Sequence, residues 1–140
     1  MKYFVALLIL ALASSTVFAN AGISLNLAPM KADEGLGAVR TVLATYFTDK
    51  MGCYSNNLFD GGMYYAELSV NYKNKDFSAL GKLPKGHKLR ITYKGKSVIA
   101  TKGDVGAGGP SHPKIDLHIN LANALGFTKA GMDNVVIEDI

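Results

Sequence analysis

Residues 101–127 read "TKGDVGAGGPSHPKIDLHINLANALGF". Thr101 to Val105 ends an alternating run, and Gly106 to Pro113 is a bend built of glycine and proline. Ile119, Leu121, Ala122 and Leu125 then recur at helical spacing, with Gly126 as a stop. Two aspartates, Asp104 and Asp116, stand on either side of the bend. A bend rich in glycine lets two chain segments approach closely.

Outward from this stretch the texture is that of short strands. Upstream, "KLRITYKGKSVIATKG" predicts two alternating strands around a turn at Lys94-Gly95, and "TVLATYF" and "MYYAELSV" predict two earlier ones. Downstream, "NVVIEDI" predicts a last strand. Several short strands with one late helix indicate a mostly β chain closed into a small barrel. No internal repeat interrupts it, so residues 41–140 read as one domain. Residues 22–40 mix glycine, proline and charge with little period and read as a leader or short N-terminal extension.

The chain opens with Lys2, an apolar run from Tyr3 to Ala13, and small residues around Ala19 and Ala21. That is the pattern of a secretory signal peptide over residues 1–21, cleaved after Ala19 or Ala21. Its apolar centre falls well short of the roughly 20 residues a membrane-spanning helix needs. A secreted protein, extracellular or periplasmic and without a stable membrane anchor, is the expectation. One cysteine, Cys53, allows no internal disulfide framework. The fold must then hold by its core, with Cys53 expected there as a small buried hydrophobe.

Of 15 Lys and Arg residues, removal of the signal takes Lys2, which leaves 14 against 11 acidic residues, or +3. From Lys82 to Lys102 there are seven basic residues and no acid. Such a surface attracts a polyanion and loses it as salt rises. Outside a cell that points to acidic polysaccharide, teichoic acid or a membrane surface rather than nucleic acid. The plainer reading is solvated lysines alternating with core residues.

The order of these pieces resembles a known family. Ala44-Thr45-Tyr46-Phe47, Gly52-Cys53, Tyr65-Ala66-Glu67-Leu68-Ser69, Leu83-Pro84-Lys85-Gly86, Asp104, Ile115-Asp116-Leu117 and Leu125-Gly126 follow one another as in the double-psi β-barrel of expansin-like, barwin-like and rare-lipoprotein-A-like domains. The resemblance covers residues 41–140 and implies a six-stranded double-psi barrel with one or two short helices. It implies an open polysaccharide groove with Asp104 and Asp116 as the catalytic-type carboxylates and Thr45 beside them. Tyr46, Lys102 and Lys114 join as substrate-binding candidates. The chain departs from the pattern at Gly106, where an aromatic is usual, and at His118, where "I-D-L-S" has its serine.

The chemistry has its own logic. Cleaving a glycosidic bond takes one protonated and one ionised carboxyl group. Neighbouring carboxylates raise the pKa of one, whereas Lys102 and Lys114 would favour the ionised forms if they share the groove. Alternatively, Asp104 and Asp116 hydrogen-bond backbone amides in the crossing loops, and Asp49 and Asp60 are turn residues.

Other motifs fail. Gly95-Lys96-Ser97 lacks the glycine that a phosphate-binding loop needs where Arg90 stands, and "GDVGAGG" lacks a dinucleotide setting. His112, Asp116 and His118 lack metal-site spacing. No cofactor and no metal are expected. The reading is a monomer that binds and loosens or remodels cell-wall polysaccharide, whether cellulose, pectin, chitin or peptidoglycan, without sustained hydrolysis. Its rivals are a lytic transglycosylase or glycosidase with Asp104 as general acid and base, and a defence- or virulence-type binding module.

Overall fold

The computed structural model describes residues 38–108 and 112–140. The expected signal peptide and most of the expected leader lie outside these residues. Six strands form, β1 (Val39–Phe47), β2 (Tyr64–Leu68), β3 (Lys88–Tyr93), β4 (Lys96–Gly106), β5 (Ile115–His118) and β6 (Asp133–Asp139), with one helix, α1 (Ile119–Leu125), among the described residues. β1 begins at Val39, two residues before the domain boundary expected at Thr41.

The strands close into a barrel in the order β1-β5-β2-β4-β3-β6. β1 with β5 and β2 with β4 are parallel pairs, joined by the antiparallel pair of β2 and β5. This is the six-stranded double-psi β-barrel expected from the sequence. The β3–β4 hairpin turns on Lys94 and Gly95, both at positive φ (46° and 88°), the backbone that a two-residue hairpin turn requires.

Alternate residues of each strand fill the interior. Ala44, Tyr65, Leu89, Ile91, Ala100, Ile115, Leu117, Val135 and Ile137 are buried there in one cluster. Each fully buried leucine or isoleucine contributes about 1.5–3 kcal/mol over its exposed state. α1 covers one side with Leu121, Ala122 and Leu125. It ends at Gly126, whose left-handed backbone (φ 70°) turns the chain so that Phe127 drops into the core, edge-on to Tyr93 at 5.1 Å.

Candidate functional site

β2 and β4 fall out of step once. Tyr65 pairs with Lys102, but Ala66 pairs with Asp104, so Gly103 is an extra residue on β4. Side chains alternate along a strand, and one inserted residue reverses the alternation. Lys102 therefore follows Ala100 inward, while Asp104 emerges on the outer face with Ala66. β5 supplies Asp116 opposite Ala66, and β1 supplies Thr45 opposite Asp116. Thr45, Asp116, Ala66 and Asp104 thus form one row across four strands. Two strand spacings put the α-carbons of the aspartates about 9–10 Å apart, with only the Ala66 methyl between them.

The two carboxylates are held differently. Asp104, 7% exposed, accepts hydrogen bonds at Oδ1 from the backbone N–H of Cys53 (2.7 Å) and of Val105 (2.9 Å). The alternative reading of this residue as an acceptor of loop amides is therefore met. It also anchors the segment after β1 to β4, and close contact of Gly52 with Gly103 makes this possible. A Cβ on Gly52 would lie 2.4 Å from the Gly103 carbonyl oxygen. Leu58 is fully buried in the same segment, outside the barrel's core cluster.

Asp116 accepts from the Thr45 hydroxyl at 2.9 Å. Burial, with smaller contributions from the charges of Asp49 and Asp104, raises its pKa to about 6 against the opposing pull of the Thr45 hydrogen bond. Burial thus lets Asp116 hold a proton in mildly acidic solution. Beside it, the buried His118 caps α1, its Nδ1 3.5 Å from the Asn120 N–H, while Nε2 lies 3.0 Å from the Asp49 carbonyl oxygen. A carbonyl takes a proton and a backbone N–H gives one, so these contacts select the neutral tautomer protonated at Nε2. Phe47 and Phe59 pack edge-on against the imidazole at 5.3 and 4.6 Å, and Phe59 is 46% exposed.

Of the expected site residues, the row unites Thr45, Asp104 and Asp116. Tyr46 neighbours Thr45 on β1 and so faces the other way, packed against the core. Lys102 also lies off the row. Its ammonium, 4% exposed, donates to Glu67 Oε1 at 2.7 Å and to the Leu83 carbonyl, and so brings no charge to the row. Lys114, half-buried, immediately precedes β5, and its backbone links Leu43 and Leu68. Cys53 is exposed rather than buried. Asp60 is the turn residue expected, accepting from the Gly62 N–H and the Tyr64 hydroxyl.

Glu67 carries a role the sequence did not signal. Its fully buried carboxylate collects the N–H groups of Leu80, Lys82 and Leu83 and the Lys102 ammonium, fastening the segment 80–83 to the barrel end. In sequence it is one polar residue in an alternating strand, with nothing to mark it. Among the described residues no cluster of three His, Cys, Asp or Glu side chains could hold a metal ion. With both nitrogens of His118 engaged, that ring is no ligand.

No family model matches this sequence, and no curated protein does. Solved structures share the fold. A Streptomyces papain inhibitor matches with a TM-score of 0.50 at 20% identity, over 74% of this chain and 94% of its own. The expansin of Clavibacter michiganensis in its apo form matches with a TM-score of 0.53 at 20% identity, over 74% of this chain. An aspartate-to-asparagine variant of that expansin, in complex with cellohexaose, matches equally well at 19% identity. The match spans half the length of the expansin chains. At these identities the likeness is one of fold.

Proposed function

We propose that this chain is a secreted protein that binds cell-wall polysaccharide along the Thr45–Asp116–Ala66–Asp104 row and remodels it without sustained hydrolysis. The observation that carries the reading is the row itself, two carboxylates and a hydroxyl in register on one outer face. A glycan lying on this face offers hydroxyls and glycosidic oxygens to groups spaced along its length. A solved expansin that shares this barrel is in complex with cellohexaose, which supports a carbohydrate ligand here. Export belongs to the proposal through residues 1–21.

The placement of the carboxylates also bears on cleavage. An inverting hydrolase sets acid and base on opposite faces of the sugar, and a retaining one sets its pair about 5–5.5 Å apart. Asp104 and Asp116 address a bound chain from the same side, which favours gripping over hydrolysis. A lytic transglycosylase is the second reading, since one group alternating as acid and base suffices for it. Asp116, with its pKa raised to about 6, suits that role.

The purified protein and its Asp104→Asn variant, incubated with insoluble cellulose and with peptidoglycan, decide between them. Binding without soluble fragments, weakened in the variant, is the expected result. Asparagine retains an oxygen to accept from Cys53 and Val105, so the fold should survive the change. Fragments released by the parent would replace the proposal with an enzymatic reading. Unchanged binding by the variant would remove the row from the site.

A further inference from the structure

A second feature adjoins the segment that Asp104 anchors. Asp104 accepts from the Cys53 N–H, and the next residue, Tyr54, lines a cleft of about 400 Å³ together with Val105 of β4. That volume lies within the range of small-molecule sites. Its rim carries Lys75, Lys82 and Lys85, and its walls include the Tyr54 and Phe77 rings. The Lys85 ammonium sits 5.1 Å from the centre of the Tyr54 ring. Among the described residues none of these three lysines forms a salt bridge, while the fourth lining lysine, Lys102, is spent on Glu67.

No acidic side chain lines the cleft. The nearby Glu67 carboxylate is paired with the Lys102 ammonium and hydrogen-bonded by three backbone N–H groups. Lys75 and Lys82 both hold left-handed backbone (φ 57° and 66°), where glycine would be the relaxed choice. The Lys82 N–H is tied to Glu67, which fixes the position from which its side chain leaves.

We propose that this cleft is a subsite for a carboxylated sugar, so that the polymer bound along the row is an acidic polysaccharide carrying uronic acid units. The lysines supply point charges for the carboxylate, and the aromatic walls supply faces for the C–H surface of a pyranose ring. Those walls favour a ring over an acyclic phosphate polymer. The proposal rests on the polysaccharide reading of the row and adds its charge specificity.

The test compares hexameric oligogalacturonate, its methyl ester and cellohexaose by calorimetry at about 0.15 M salt, where diffuse charge effects fade beyond about 8 Å. The proteins are the parent, Lys82→Gln/Lys85→Gln, the control Lys94→Gln/Lys96→Gln on the β3–β4 turn, and Asp104→Asn, each checked for an unchanged melting temperature. The parent should bind the free acid at least about tenfold tighter than the ester, the loss expected for one charge-assisted contact. The cleft variant should erase that preference, and the turn control should stay within about twofold of the parent.

Equal loss in the two lysine variants, or equal binding of all three sugars by the parent, overturns the subsite and leaves the row standing. Lysine-dependent preference that Asp104→Asn leaves untouched overturns the row and leaves the cleft. A parent that binds none of the three overturns both.

Discussion

Lys102 and Asp104 stand two residues apart on β4 and face opposite sides of the barrel wall. The single extra residue between them, Gly103, sends the ammonium inward to Glu67 and the carboxylate outward to the row. Without that bulge the two charges would share a face, and Asp104 would lie inside the barrel.

Gly52 packs closely against the bulge at Gly103, which leads to a first prediction. In Gly52→Ala the new methyl lies 2.4 Å from a backbone oxygen and can be relieved only by moving the chain. Overpacking of this kind costs about 1–3 kcal/mol. Urea unfolding should show that loss, together with weaker glycan binding as the Cys53 N–H leaves Asp104.

Glu67 and Lys102 form a buried pair of unequal partners. Glu67→Gln leaves the Lys102 ammonium without an anion and should cost about 3–5 kcal/mol in chemical denaturation. Lys102→Met leaves the carboxylate its three backbone N–H donors, so its cost should be the smaller of the two. The reverse order would show that the segment 80–83 depends on the ammonium more than on the carboxylate.

Asp116 makes stability depend on pH in the direction opposite to an ordinary salt-bridged aspartate. Its pKa is about 6 in the fold and about 4 in the unfolded chain. Between those values the folded protein retains a proton that the unfolded one has released, so stability falls as pH rises from about 4 to about 6. The full difference is at most about 3 kcal/mol. Asp116→Asn should match the parent near pH 4 and exceed it at pH 8 in melting temperature. A parent that gains on the variant above pH 6 would contradict this sign.

Cys53 offers a probe of the Asp104 end. Partial burial and the neighbouring Asp104 carboxylate push its thiol above the ordinary value, so the reactive thiolate is scarce at neutral pH. Alkylation by iodoacetamide at pH 7.5 should be slower than for a free cysteine peptide. It should accelerate in Asp104→Asn, where the neighbouring negative charge is gone.

Much of this molecule could be read from its residues. The period-2 strands, the Lys94-Gly95 turn and the helix stopped by Gly126 all express local preferences that the barrel leaves intact. Order along the chain also singled out Thr45, Asp104 and Asp116, which the fold brings into one row. Lys102 and Tyr46 fall off that row for a common reason: nearness in sequence says nothing of which face a side chain takes. At Lys102 a bulge reversed the alternation, and at Tyr46 ordinary alternation separated it from Thr45. Glu67 was hidden because its four partners come from segments distant in sequence, and only folding gathers them.

The strand order also carries a consequence for how the chain reaches this state. In the ring β1-β5-β2-β4-β3-β6, β3 and β4 are the one neighbouring pair consecutive in sequence. Pairings between distant segments slow folding, toward milliseconds to seconds for domains of this kind. β1 is the extreme case, since both its partners, β5 and β6, lie beyond residue 112. A nascent chain must therefore keep the "TVLATYF" strand unpaired until residues beyond 112 have emerged. Self-association in that interval, rather than instability of the finished barrel, is the hazard this topology creates.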